Sequence, residues 1–248
     1  MKHIDIFSSV SEYETAKSGG TLITPNVSFV NESGGVICLP ELDDPYNGHE
    51  YVEIGGLKWA TMNIGALQPS DYGLYFAWGD AQGYTDEQAG RGEGQKYFGW
   101  EDYKYGNGTS SPDDRRMTKY NETDGKTILE ASDDAAVANW GGSWRMPTTA
   151  EFQALRAAVN ATWTQVNNVY GMLFTDKTDS SKTLFFPAAG SCYNGSVKDV
   201  DNNGGYWSSS LGTDGSPYAY SLYLDRYDDY WGGDSDRYIG CSVRPVAS

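Results

Sequence analysis

Catalysis needs nucleophiles, bases or metal ligands, and this chain carries few of them in a workable order. It has two histidines, His3 and His49, and three cysteines, Cys38, Cys192 and Cys241. No HExxH, GxSxG or GxxxxGK[ST] run occurs, which removes the commonest zinc-hydrolase, serine-hydrolase and P-loop chemistries. Three widely spaced cysteines form neither a disulfide framework nor a zinc cluster. One run begins like a calcium loop: Asp199-Val200-Asp201-Asn202-Asn203-Gly204 puts oxygen-bearing side chains at alternate positions. Its twelfth position is Ser210 rather than a bidentate glutamate, so a Gly-rich turn is expected and a structural calcium stays the alternative. No cofactor is expected.

What the chain has in quantity is material for a contact surface. The 50 residues after Lys198 contain no Lys, Glu, Gln or Met, whereas the first 198 hold 33 of these types, so about eight would be expected in proportion. Those four types differ in size and charge, and neither burial nor strand propensity removes all of them together. Across residues 206–241, Tyr, Ser, Gly and Asp fill 24 of 36 positions. Antibody paratopes have such a composition, because Tyr supplies rigid contact area and Ser and Gly supply adaptability. A Gly/Asp-rich loop with structural tyrosines is the plainer alternative. Alternation in Ala219-Tyr220-Ser221-Leu222-Tyr223-Leu224-Asp225 predicts a strand with Leu222 and Leu224 turned inward. Ser221, Tyr223 and Asp225 then form a solvent-facing row, which suits binding better than catalysis.

The elements that must hold this row follow from length and pattern. A chain of 248 residues with 39% apolar and 21% charged residues is long enough to bury a sizeable core. Thirty glycines imply many turns, and 19 tyrosines with 8 tryptophans imply an aromatic interior. A net charge of −16 excludes a general nucleic-acid binder and disfavours anionic membrane surfaces. No run approaches the roughly 20 apolar residues of a membrane span, so no membrane insertion is expected. The start, MKHIDIFSSVSEYETAK, lacks the apolar run of a secretory signal. Read as a true start, it implies synthesis in the cytosol and exit, if any, by a non-secretory route, of which assembly into a particle released by lysis is one.

Residues 1–45 form a first segment. Ser9 and Glu12 can box the start of a helix over residues 10–17, and the runs at 27–30 and 36–39 predict a hairpin. Residues 46–248 form the main domain. Gly55-Gly56 predicts a tight hairpin between strands at 51–54 and 57–60. Residues 79–127 read as long ordered loops, and short helices are expected around 132–140 and after the Thr148/Glu151 capping box. Strands are expected at 172–175, 183–186, 206–209, 219–225 and 238–243. The class is α+β, with two short helices, a small, mostly antiparallel sheet and long loops.

Several segments together resemble the C-type-lectin-fold variable proteins of diversity-generating retroelements, in the subgroup related to formylglycine-generating enzymes and found in gut Bacteroidetes and their phages. The segments are Gly56 to Gly65 (GLKWATMNIG), Tyr75 to Gly79 (YFAWG), Asp134-Ala135-Ala136, Trp140 to Thr148 (WGGSWRMPT), Phe186 to Gly190 (FPAAG), Tyr206 to Ser210 (YWSSS) and Gly240 to Val246 (GCSVRPV). They run in order over residues 46–248, and the WRMPT and YWSSS…SVRPV pair is the most specific. The resemblance implies a C-type-lectin-like fold with Trp59, Trp78, Trp144 and Trp207 buried. It also implies that template AAC codons are rewritten at adenines, a change that cannot reach Lys, Glu, Gln, Met or Trp. Framework positions would be Trp207, Leu222, Leu224, Arg237, Gly240, Ser242 and Arg244. Diversified ligand-binding positions would be Ser221, Tyr223, Asp225, Tyr227, Asp229, Tyr230, Asp234, Ser235, Tyr238, Ile239 and Cys241, joined by Asp214 and Tyr218.

The function so implied is a non-enzymatic display protein, a phage receptor-binding protein on the virion surface. Its partner would be a host cell-surface protein or glycan. Residues 1–45, weakly similar to leaders of phage structural proteins, would join other virion proteins; a lobe that only decorates the main domain is the equal alternative. The oligomeric state stays open, a homotrimer included. The rival is a bacterial surface adhesin or glycan-binding module of the same fold. The remaining alternative is a formylglycine-generating-type oxidase, for which Cys192 and Cys241 are the available pair. The sugar-binding EPN, QPD and WND triplets of calcium-dependent lectins are absent.

Overall fold

The computed structural model describes residues 5–7, 11, 12, 15, 27–30, 36–39, 45–109, 116–227 and 231–248. The chain divides into two compact units, residues 1–47 and 48–248.

In the first unit, β1 (Asp5–Phe7), β2 (Val27–Val30) and β3 (Val36–Leu39) make an antiparallel sheet in the order β1-β3-β2. The expected hairpin is present, with Val27 opposite Leu39 and Val30 opposite Val36. The pattern at residues 5–7 was too short to be read as a strand, and pairing with β3 is what makes it one. Of the helix expected over 10–17, residues 11, 12 and 15 are described and are helical, with the Thr15 hydroxyl donating to the Ser11 carbonyl (2.8 Å). Ser9 of its capping box lies outside the described residues.

The second unit is mixed α+β, mostly β, built from several small antiparallel sheets rather than one. It opens with β4 (Tyr51–Ile54) and β5 (Leu57–Ala60), joined at Gly55 and Gly56 with φ of 64° and 79°. Both values lie in the left-handed region that a two-residue turn demands and glycine adopts without strain. The last strand, β14 (Val246–Ala247), pairs with β5 and sets Val246 opposite Trp59. The two ends of this unit are therefore held side by side.

Two helices follow the long loops. Helix α1 (Ala135–Trp140) starts at Asp134, whose carboxylate accepts the Ala136 and Val137 amides and also the Met146 amide. Helix α2 (Thr149–Ala158) starts at the expected capping box: the Glu151 amide donates to the Thr148 hydroxyl, and the Glu151 carboxylate accepts the Thr148 amide. The apolar stripe of α2 stops at Phe152 and Leu155, because Val159 already opens the next strand. That strand, β6 (Val159–Val166), with β7 (Val169–Asp176) and β8 (Thr183–Pro187), makes an antiparallel meander. A short hairpin of β9 (Ser191–Tyr193) and β10 (Ser196–Lys198) leads to β11 (Asn203–Leu211), β12 (Tyr218–Asp225) and β13 (Trp231–Asp236), which pair in that order.

Two buried clusters form the interior. One gathers Phe76, Trp78, Phe98, Trp100, Tyr103 and Tyr120 from the long loops with Trp207, Ala219 and Cys241. The other gathers Ile54, Trp59, Phe152, Phe174 and Phe186 with Tyr206, Leu222, Leu224 and Val246. Neighbouring residues Tyr206 and Trp207 thus serve opposite clusters, so the β11–β12–β13 sheet lies between them. Trp59, Trp78, Trp144 and Trp207 are all buried, as expected. His49 stacks on the Trp140 ring at 3.6 Å, which gives it a packing role.

Candidate ligand-binding face

Buried polar side chains anchor the window from beneath. The Trp207 indole N–H donates to the Phe76 carbonyl at 2.7 Å. The Arg237 guanidinium is buried and donates to the Tyr103 hydroxyl (2.8 Å) and to the carbonyls of Ser216 (2.7 Å), Lys119 (3.1 Å) and Tyr120 (3.2 Å). It also lies 4.6 Å from the Trp78 ring centroid. Arg244 is equally buried and donates to Asn63 Oδ1 (2.9 Å) and to the carbonyls of Ala60 (3.0 Å) and Phe185 (2.9 Å). Burial draws its guanidinium down to about 10, still charged at neutral pH. Every one of these acceptors is neutral, and charge-assisted bonds to them are stronger than neutral pairs. Gly240 is required by space: a Cβ there would sit 2.6 Å from the Phe98 ring and 2.9 Å from Cys192 Cβ.

The expected contact residues divide into three groups. Tyr223 and Tyr227 are exposed, at 37% and 84%, and Asp225 between them is half-buried, accepting the Tyr227 amide at 2.7 Å. Asp214 is exposed; its amide donates to Asp234 Oδ2 (3.0 Å) on β13, and Tyr218 and Ser235 nearby are half-buried. Asp229 and Tyr230 lie outside the described residues. A third group departs from expectation. Ser221 is buried, its hydroxyl 2.9 Å from that of Ser235, and Cys241 is buried in the core. Tyr238 and Ile239 are half-buried against the first cluster, Tyr238 with its ring 4.9 Å from Trp100.

The solvent row predicted for Ser221, Tyr223 and Asp225 is therefore corrected at Ser221. The reason is the first cluster: it covers the face of the sheet that carries Ala219 and Ser221 while the second covers that of Leu222 and Leu224, so alternation no longer separates core from solvent. The strand expected at 238–243 is also corrected. The Ile239 amide closes a turn on the Asp236 carbonyl, and residues 240–242 bridge to Cys192, Phe76 and Tyr206 in succession. Three different partners in three residues give no continuous ladder.

Asp225 and Tyr227 border a cavity of about 480 Å³ that also takes Arg156, Trp163, Lys177 and Arg226. Only Arg226 stands inside the compositional window. Arg156 comes from α2, Trp163 from β6 and Lys177 from the turn after β7, so nothing in their spacing marks them as one site.

The other chemical candidates take structural places. Asp201 Oδ1 accepts the Tyr72 hydroxyl (2.9 Å) and the Tyr170 amide (3.2 Å), and Asp199 and Asp201 have φ of 61° and 63°, as in a tight turn. Among the described residues no cluster of His, Cys, Asp and Glu could hold a metal ion. Burial pushes both the Cys192 and the Cys241 thiols up to about 12. Among the described residues no helix is long and apolar enough to cross a membrane. Comparison of the chain with protein-family models, with curated proteins and with solved structures finds no match.

Proposed function

We propose that this chain is a C-type-lectin-fold ligand-binding protein that displays a retroelement-diversified face and performs no chemistry. One observation carries the reading most. Tyr223, Asp225 and Tyr227 emerge together at the end of β12, beside a framework of buried Trp207, Arg237 and Arg244 that does not depend on them. The edge strand β13 adds Gly233, where an added side chain would meet open space; Gly232 beside it holds a φ of 111° that side chains rarely adopt. Tyrosines in such a place serve as hot-spot anchors, and aspartates favour hydrogen-bond-donating partners.

In this reading the protein is a phage receptor-binding protein on the virion. Residues 1–45 attach it to other virion proteins, and its target is a host cell-surface protein or glycan. A bacterial adhesin of the same fold would share the face but not the diversification. The formylglycine-generating-type oxidation is disfavoured by the burial of both thiols, since the thiolate is the reactive form.

The test binds the full chain to gut bacterial cells before and after Tyr223, Tyr227 and Tyr230 are changed together to alanine. Loss of binding with an unchanged melting curve supports the face. Undiminished binding that disappears on removing residues 1–45 assigns recognition to the other end. Diversification has its own check: flanking DNA should carry a near-copy of codons 206–246, differing at adenines, beside a reverse transcriptase gene.

A further inference from the structure

The cavity at the end of β12 has a chemistry of its own. Among the described residues, Arg156, Lys177 and Arg226 line it with one carboxylate, Asp225, in a chain whose net charge is −16. Two of these cations are tethered by neutral groups. The Lys177 ammonium donates to the Ala157 carbonyl (2.8 Å), and the Arg226 guanidinium donates to Asn202 Oδ1 (3.3 Å). Each keeps further donors that a ligand can use. Trp163 adds a flat aromatic wall, held by stacking on Tyr170 with ring planes 15° apart. Tyr227, highly exposed, also lines it, and its ring centroid lies 5.1 Å from the Arg226 guanidinium carbon.

From these residues we infer that the cavity binds an acidic sugar unit, a pyranose carrying a carboxylate or a sulfate. The inference rests on the ligand-binding reading above and names the ligand chemistry of one part of that face. The cations suit the anionic group, and charge-assisted contacts of this kind are the stronger ones. The indole suits the apolar face of a sugar ring. Asp225 decides between a sugar and a bare anion: it would repel a simple dianion but accepts hydrogen bonds from ring hydroxyls. A volume of about 480 Å³ lies within the range of small-ligand sites and well short of a folded partner.

The experiment titrates the full chain by calorimetry with trigalacturonate, sialyllactose and galactose 6-sulfate, which separate the carboxylate and sulfate sources. The neutral galactose trimer and an acidic hexapeptide complete the set. Saturable binding of at least one acidic sugar is expected, with the neutral trimer about tenfold or more weaker, since loss of one charged hydrogen bond is worth that much. Arg226→Gln should weaken the acidic sugar severalfold with its melting curve unchanged. Trp163→Ala should weaken it as much and also lower the melting midpoint, because Trp163 packs against the second cluster, and added salt should weaken binding further. Tyr223→Ala, outside the cavity lining, should leave sugar binding as it was. The inference is overturned if no acidic sugar saturates, if the neutral trimer binds as well, or if only the peptide binds. Failure here with Tyr223-dependent cell binding intact would remove the sugar site alone. Sugar binding without Tyr223-, Tyr227- or Tyr230-dependent cell attachment would instead remove the display reading.

Discussion

Replacing Cys241 by tyrosine separates a position that merely lies in the compositional window from one that can accept other side chains. Cys241 is 2% exposed, and a Cβ built on Gly205 would stand only 3.0 Å from its sulfur, so the thiol already rests on backbone. A phenol there overpacks the core, at about 1–3 kcal/mol. Its hydroxyl would also need a partner among buried groups that are already committed, at about 1–3 kcal/mol more. Together the loss is about 2–6 kcal/mol. For a chain of this length each kcal/mol shifts the midpoint by about 2–4 °C, so a mid-range loss lowers Tm by roughly 8–16 °C. Tyr227→Ala, at an 84% exposed site, should stay within about 0.5 kcal/mol, a shift under about 2 °C. Circular-dichroism melts and guanidinium titrations of both variants decide the matter. If Cys241→Tyr melts within 2 °C of the parent, residue 241 is not packed as described, and the division between framework and display positions fails.

Three further outcomes follow from the same packing. Leu222→Ala should cost about 2–5 kcal/mol by opening a cavity in the second cluster, several times the effect of the neighbouring Tyr223→Ala, as read by chemical denaturation. Arg244→Ala should be worse still, above about 4 kcal/mol, because it leaves three buried acceptors without donors and a void beside Phe186; a loss below 2 kcal/mol would refute that bonding. Asp133 gives a pH signature. Burial works to raise its carboxyl, but hydrogen bonds from Lys119, Tyr105, Tyr120 and Lys104 outweigh burial and hold it well below the usual carboxylate range. A depressed folded value means stabilisation that is present above the unfolded value, near 4, and lost as pH falls further. Denaturation midpoints measured from pH 6 to pH 2.5 should therefore fall more steeply for the parent than for Asp133→Asn.

Turn chemistry was the most legible part of the chain. Gly55-Gly56 and the Thr148/Glu151 box are local signals, and the structure uses both where they stand. Two signals of the same kind were passed over. Asn167-Asn168 and Asn194-Gly195 take left-handed φ in two-residue turns, and they close the β6–β7 and β9–β10 hairpins. Phe152, Leu155 and Val159 keep helical spacing across the end of α2, so the pattern alone carries a helix on into β6. Spacing alone cannot show where the backbone changes state when the next residue is apolar in either element. The cavity cations were illegible for a different reason: α2, β6, the turn after β7 and the end of β12 meet only in three dimensions.

The misplacement of Ser221 and the burial of Arg237 and Arg244 belong to one physical account. A display surface that changes its residues needs a scaffold whose stability does not run through them. A buried carboxylate partner for either arginine would have to come from a fixed side chain, whereas backbone carbonyls are present whatever the sequence. Arg237 takes the carbonyls of Lys119, Tyr120 and Ser216, and Arg244 those of Ala60 in β5 and Phe185 in β8, so each ties the C-terminal segment to other parts of the fold by atoms that no substitution removes. The cost of this arrangement is that the sheet is clamped between two clusters, which leaves Ser221 and Cys241 little room. Freedom to vary is then concentrated where the clamp ends, at Tyr223, Asp225 and Tyr227 and at Gly233 on the edge of β13. On this account the tolerance of each position follows its depth in the clamp rather than its place in the compositional window.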